Sequence, residues 1–170
     1  SYTLYTYYMT VTNAAGDTAT KSVTLWVYPL PVINSFLIYP VGQTTNGASS
    51  YNITVGGSAD LIANYSGVSA SIDNNIGTIS NNSAFTVSPT ASTTYFKLTV
   101  INGNNYAVDR TITINAYPVP SISSFTTDAS KVTNGSSATL SWATSDAVST
   151  SISPTVGSVT PVASGSTSVT

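Results

Sequence analysis

The stretch Tyr28-Pro29-Leu30-Pro31-Val32-Ile33-Asn34-Ser35-Phe36 occurs a second time in the chain. It recurs 89 positions later, where residues 117–125 read Tyr-Pro-Val-Pro-Ser-Ile-Ser-Ser-Phe. The same spacing aligns residues 7–13, Tyr-Tyr-Met-Thr-Val-Thr-Asn, with residues 96–102, Phe-Lys-Leu-Thr-Val-Ile-Asn. A fixed period of this length indicates a tandem repeat of one structural unit.

Beyond the Pro-containing stretch the spacing between the two copies becomes shorter. Thr45-Asn46-Gly47 matches Thr133-Asn134-Gly135, but Ile72 matches Ile152 at a spacing of 80 residues. The earlier copy therefore carries several additional residues, which we place around 48–55. Surface loops accommodate such added length at little free-energy cost.

Each copy contains short runs of alternating apolar and polar residues, separated by turn residues and without a helical period. This pattern predicts an all-β fold of antiparallel sandwiches. In the earlier copy we expect strands after Pro31, over 59–63, over 68–72 and around 85–87; in the later copy we expect them after Pro120, over 138–142, over 148–152 and around 167–169.

Four stretches resemble one family of domains. They are residues 93–100 (Thr-Thr-Tyr-Phe-Lys-Leu-Thr-Val), 11–16 (Val-Thr-Asn-Ala-Ala-Gly), 133–142 (Thr-Asn-Gly-Ser-Ser-Ala-Thr-Leu-Ser-Trp) and 151–154 (Ser-Ile-Ser-Pro). They are similar to tandem bacterial immunoglobulin-like domains of the PKD-like or Big-like kind. The resemblance covers nearly the whole chain and implies tandem Ig-like β-sandwiches without substantial helix. Such modules serve as spacers, adhesin stalks, enzyme accessories and fibre subunits, so the fold leaves the function open.

The repeat divides the chain into three segments. We expect the first segment, residues 1–29, to be the C-terminal hairpin of an Ig-like domain, comprising its last two strands. The middle segment, residues 30–117, is predicted to be a complete Ig-like domain. The third segment, residues 118–170, is predicted to be the N-terminal part of a further domain that lacks its last two strands. A sandwich without two strands has an open sheet edge that can recruit another chain, so we expect other strands to complete it.

Alternation along the strands predicts which side chains take part in this completion. In the first segment one face of the hairpin is expected to be buried as a donated core; its residues are Tyr7, Met9, Val11, Val23, Leu25 and Val27. The third segment is expected to supply the acceptor core, formed by Phe125, Leu140, Trp142, Val148, Ile152 and Val169.

Tyr8 and Trp26 lie on the opposite face of the hairpin by the same alternation. Their counterparts in the middle segment are Lys97 and Asn115, which are polar. Exposed aromatic side chains can mark a contact surface. We consider three interpretations: a protein contact patch, an ordinary partly buried pair, and a platform for sugars.

The composition disfavours several classes of function. The chain of 170 residues has four Lys and Arg, six acidic residues that are all Asp, and neither His nor Cys. We therefore predict no enzymatic activity, no metal and no organic cofactor, because the usual ligands and nucleophile–base pairs are missing. So few cations do not suit a nucleic-acid partner, and no apolar run is long enough to span a membrane. The residues 73–77, Asp-Asn-Asn-Ile-Gly, are predicted to form a turn rather than a calcium loop.

Four Asn residues match the N-glycosylation pattern, namely Asn52, Asn64, Asn81 and Asn134.

From these features we expect a non-enzymatic structural protein located outside the cell, at the surface or in a secreted filament. Its partners would be other copies of itself, joined head to tail by completion of split Ig-like domains. One alternative is a spacer or stalk in which adjoining repeats of the same chain complete one another. Another is a carbohydrate-binding accessory module. Glycan modification is compatible with any of these.

Overall fold

The computed structural model describes residues 2–160 and 162–170, and within them the regular structure consists of β-strands joined by turns, with no helix. The predicted all-β class is therefore confirmed. The strands group by segment into separate sheets.

The first segment is a single antiparallel hairpin. Strands β1 (Thr3–Thr12) and β2 (Thr18–Val27) form a two-stranded sheet and pair with no other strand of the described chain. The Asn13 side chain shapes the turn, because its Oδ1 accepts the amide hydrogens of Ala15 and Asp17, each at 2.9 Å. Gly16 adopts a φ of 92°, which favours glycine. The turn thus lies where its Asn, Gly and Asp predicted it.

The middle segment forms two sheets that enclose a common core. One sheet has the strand order β3-β5-β8, and the other has the order β4-β10-β9-β6-β7. The strands are β3 (Val32–Pro40), β4 (Ser50–Thr54), β5 (Ala59–Ser66), β6 (Ser69–Ile72), β7 (Gly77–Thr78), β8 (Ala84–Val87), β9 (Thr93–Ile101) and β10 (Ala107–Tyr117). Buried apolar side chains from both sheets meet between them; the largest of these are Phe36, Ile38, Leu61, Leu98, Val100, Ile112 and Ile114.

The additional residues of the middle segment form a strand rather than a loop. Within the stretch 48–55, β4 pairs in parallel with the edge of β10, and Ala48 forms an isolated bridge with Ile38. Tyr51 and Ile53 point inward and pack against the core. The insertion therefore covers one edge of the larger sheet. The sequence had led us to expect a surface loop at this place.

The third segment reproduces about half of this arrangement. Its strands are β11 (Ser121–Thr127), β12 (Ala138–Ser145), β13 (Ser151–Ile152), β14 (Gly157–Ser158) and β15 (Ser164–Val169). Three of them form a sheet of order β11-β12-β15, while β13 and β14 form a separate hairpin. These two sheets correspond to β3-β5-β8 and to β6-β7 of the middle segment.

The registers of the two copies agree in detail. Phe125 lies opposite Trp142 as Phe36 lies opposite Ala63, and in both pairs of strands the register shifts two positions before that phenylalanine. A Cβ atom built on Gly165 would lie 2.6 Å from the Trp142 ring, so the large ring uses the space that this glycine leaves.

Several strand boundaries differ from the sequence expectations. The strand expected over 59–63 continues to Ser66, and the strand expected over 148–152 is reduced to Ser151–Ile152. The two-residue strands β7 and β14 were not expected at all. Strands this short have too few residues to produce a recognisable alternation.

Candidate functional site: an uncovered hairpin face and an open half-sandwich

The hairpin presents one continuous apolar face. Tyr7 lies opposite Val23 and Tyr5 lies opposite Leu25, so these side chains share a face of the two-stranded sheet. Met9, Val11 and Val27 extend it by alternation along the strands. This face was expected to be buried, but within the described chain all the predicted donor residues are exposed: Tyr7, Met9, Val11, Val23, Leu25 and Val27.

The repeated positions in the middle segment have the opposite environment. Met9 is 70% exposed, whereas Leu98, its counterpart 89 residues later, is 0% exposed. Leu25 is 52% exposed, whereas its counterpart Ile114 is 0% exposed. The residue types are similar, so the difference comes from the packing. The β9–β10 hairpin lies against the β3-β5-β8 sheet, and the β1–β2 hairpin lies against no second sheet of the described chain.

The third segment shows the complementary deficiency. Trp142 and Ile152 are buried and Leu140 packs against them, and Val169 is half-buried at the end of β15. Phe125 is 56% exposed, although its counterpart Phe36 is 0% exposed beneath the β9–β10 hairpin. Of the predicted acceptor residues, Leu140, Trp142 and Ile152 therefore line one small core, which is open on the side where the middle segment has two further strands.

Val148 does not lie with the other predicted acceptor residues. It is 98% exposed and precedes β13 rather than belonging to it. Its counterpart Val68 is exposed even in the middle segment, just before β6. The alignment of the two valines is consistent, but in neither copy does the position face the core.

Tyr8 and Trp26 are exposed, as expected, but they do not form one patch. Tyr8 lies opposite Ser22, whereas Trp26 lies opposite Leu4, four positions further along the hairpin. The Trp26 ring is instead 4.5 Å from the Tyr2 ring at an interplanar angle of 55°, and Tyr2 is 5.7 Å from Tyr28. The hairpin thus has a tilted aromatic cluster at its end and a separate Tyr8.

A buried asparagine links the middle segment to the chain that precedes it. The Asn102 Oδ1 accepts the amide hydrogens of Asn104 and Tyr106 at 3.0 Å, and its Nδ2 donates to the Pro29 carbonyl at 2.9 Å. Asn13, its counterpart, forms the same kind of turn, but its Nδ2 donates to Asp17 Oδ2 at 2.9 Å. The repeat aligned these two asparagines, so a signal for this contact was present in the sequence.

Few charged side chains lie near these surfaces. Lys21 lies on the same face of the hairpin as Val23, directly opposite Met9. In the third segment, the Thr139 amide donates to Asp128 Oδ1 at 2.7 Å, and this hydrogen bond holds the pKa of the exposed Asp128 carboxyl below its ordinary value. The hairpin face is therefore mainly apolar and carries one cation, Lys21.

In residues 2–160 and 162–170, no three His, Cys, Asp or Glu side chains come close enough together to hold a metal ion. The same residues contain no helix that could cross a bilayer.

A scan against models of known protein families finds no match for this chain, and a search of curated proteins finds none either.

Proposed function

We propose that this chain is a non-enzymatic structural protein of the extracellular space, built from Ig-like modules and assembled head to tail into a filament. In this assembly the β1–β2 hairpin of one copy completes the third segment of the next copy. The contact uses different surfaces on its two sides, and such a contact continues indefinitely when the rotation between copies does not close a ring. The product is a linear fibre.

The observation that carries the proposal is the contrast between equivalent residues. Met9 and Leu25 are exposed where Leu98 and Ile114 are buried. Burying one such side chain stabilises a contact by roughly 1.5–3 kcal/mol, so an uncovered face of six apolar residues favours association. The Phe125 side of the third segment supplies the matching uncovered surface.

The 89-residue spacing supports a second candidate, a stalk in which adjoining repeats of one longer chain supply the missing strands. The mass of the denatured native protein distinguishes the two arrangements. A subunit made of these 170 residues has a mass of 17.5 kDa, whereas a continuous array gives a far larger mass. The sugar-binding alternative has less support, because Tyr8 and Trp26 are separated and the cluster around Trp26 is tilted rather than flat.

The test replaces equivalent residues in the two hairpins by aspartate. Met9→Asp and Leu25→Asp place a charge on a face that is exposed in the single chain, so we expect the chain to fold normally. In an assembly the same charge would be buried without a partner, at a cost of several kcal/mol. We expect association to weaken by at least about 100-fold, measured by analytical ultracentrifugation.

Leu98→Asp and Ile114→Asp are the matched controls. They bury a charge in the core of a single chain, so we expect them to unfold the middle segment, seen as a loss of its cooperative thermal transition. Normal assembly of Met9→Asp and Leu25→Asp chains would rule out completion by the hairpin.

A further inference from the structure

We propose that β1 of one copy adds to β13 of a second copy as an antiparallel strand, in the register that places Met9 opposite Ile152. The occupant of the hairpin face is thus a second copy of this chain. The inference rests on the proposed function and makes it specific, because it names the paired strands and their alignment.

The register follows from the middle segment. There, β9 pairs with β6, with Leu98 opposite Ile72 and Thr99 opposite Ser71. Leu98 corresponds to Met9 at the spacing of 89, and Ile72 corresponds to Ile152 at the spacing of 80. The same transfer places Thr10 opposite Ser151 and Val11 opposite Thr150.

Strand β13 has an available edge for this pairing. It pairs with β14, with Ile152 opposite Gly157, just as β6 pairs with β7, with Ile72 opposite Gly77. In the middle segment the other edge of β6 is taken by β9. In the third segment no described strand pairs with that edge of β13, so its backbone groups can accept a further strand.

The hairpin already has the geometry that the site requires. Tyr7 lies opposite Val23 as Phe96 lies opposite Ile112, so both hairpins have the same internal register. Binding does not need a new hairpin to form, which lowers the entropy loss of association. Once β1 is aligned with β13, its odd-numbered side chains point toward the same side as Ile152, where Trp142 and Phe125 lie.

A second contact is expected at the turn of the hairpin. Asn102 Nδ2 donates to the Pro29 carbonyl in the middle segment, and the corresponding residues are Asn13 and Pro118. In the assembly we expect Asn13 Nδ2 to exchange its bond to Asp17 for a bond to the Pro118 carbonyl of the second copy. This contact fixes the end of the hairpin and therefore supports the same register.

The register can be tested by disulfide formation, because the chain has no cysteine of its own. A Thr10→Cys chain is mixed with a Ser151→Cys chain under mild oxidation. Directly opposed residues in an antiparallel pair have Cα atoms about 4.5–5.5 Å apart, within the range of a disulfide. We expect a crosslinked species of twice the 17.5 kDa chain mass that contains both variants, identified by mass spectrometry.

Two neighbouring positions and one internal pair serve as controls. Tyr8→Cys and Thr12→Cys lie on the same face as Thr10, but in the proposed register they are diagonal to Ser151 at about 7–8 Å, beyond disulfide range. We expect their yields with Ser151→Cys to be at least about tenfold lower. The Ser71→Cys/Thr99→Cys double variant should close within one chain, because these residues are opposed in the middle segment.

The outcomes separate the register from the assembly. Preferential crosslinking of Tyr8→Cys or Thr12→Cys to Ser151→Cys would overturn the register while leaving completion by a second copy intact. If none of the three mixtures crosslinks although the internal pair closes, the pairing of β1 with β13 is wrong. If Met9→Asp chains then also associate like the unmodified chain, the proposed function is wrong as well.

Discussion

At the scale of single residues, one carboxylate is buried for a structural reason. Asp60 lies on β5 in the middle segment and is 4% exposed. Its Oδ2 accepts the Gly42 amide hydrogen at 2.8 Å, and its Oδ1 accepts the Thr86 hydroxyl hydrogen at 2.5 Å. These bonds tie the turn after β3 and the strand β8 to the central strand of the sheet. A buried acid in other proteins often serves catalysis, but here both oxygens have structural partners.

We expect Asp60→Ala to destabilise the middle segment by about 1–3 kcal/mol, because the Gly42 amide and the Thr86 hydroxyl lose their acceptor. Urea unfolding monitored by circular dichroism measures this change. Asp109→Ala is the matched control, since Asp109 is exposed and contacts Lys97 at 3.8 Å, and surface ion pairs contribute roughly 0–1 kcal/mol. Equal destabilisation by both substitutions would contradict the structural role of Asp60.

At the scale of strands, sequence reasoning succeeded for most of the elements that the repeat presents twice. The hairpin, the strand after each Pro-containing stretch and the core position of Trp142 follow from alternation and from matched residues. Strand β4 could not be predicted in this way, because the later copy has no equivalent and its partner β10 is more than fifty residues away. Val148 was predicted to face the core, but it aligns with Val68, which is itself exposed to solvent. The alignment of the two valines could show only that they share an environment, not that this environment is the core. The later copy has no acidic residue at the position of Asp60, so the comparison of the two copies could not indicate that Asp60 is buried.

Strand β4 packs two side chains against the core of the middle segment. Tyr51 and Ile53 are half-buried against the core, and together they cover the edge of β10. We expect the double variant Tyr51→Ser/Ile53→Ser to lower the free energy of unfolding by roughly 1.5–3 kcal/mol, about half the value for two fully buried side chains. Exposure of the β10 edge should also promote aggregation at high concentration.

The control for this variant is Asn52→Ser, on the same strand but facing solvent. Its side chain accepts a hydrogen bond from Asn115 at 3.1 Å on the surface, so we expect a change within about 0.5 kcal/mol. Differential scanning calorimetry of the three proteins gives the comparison. If the double variant is as stable as Asn52→Ser, β4 contributes no packing to the middle segment.

At the scale of the whole chain, the four cationic residues report on the stability of each segment. Lys97 and Arg110 lie in β9 and β10, and each of these strands is paired on both sides. Lys21 lies in β2, which pairs on one side only, and Lys131 lies in the turn region between β11 and β12. Backbone that opens locally is cut first by a protease. The order of tryptic cleavage therefore ranks the segments.

We expect limited trypsin digestion of the monomeric chain to cut at Lys21 and Lys131 and to leave a resistant fragment of residues 22–131. Mass spectrometry identifies the fragment. In assembled protein, cleavage at Lys21 should slow markedly, because the hairpin is then part of a sandwich. Cleavage at Lys97 or Arg110 as fast as at Lys21 would contradict the greater stability of the middle segment.

The hydrogen bond between Asn102 and Pro29 has a mechanical consequence. It places the beginning of β3 beside the turn that precedes β10, whereas β10 ends at Tyr117, eleven residues further along an extended strand. At about 3.3 Å per residue, the chain therefore enters and leaves the middle segment at opposite poles, more than 30 Å apart. A pull along the chain acts lengthwise on β3 and β10, which belong to different sheets. Tension then passes from one sheet to the other through the apolar core and the Ala48–Ile38 bridge, and it must shear rows of backbone hydrogen bonds together rather than open them one at a time.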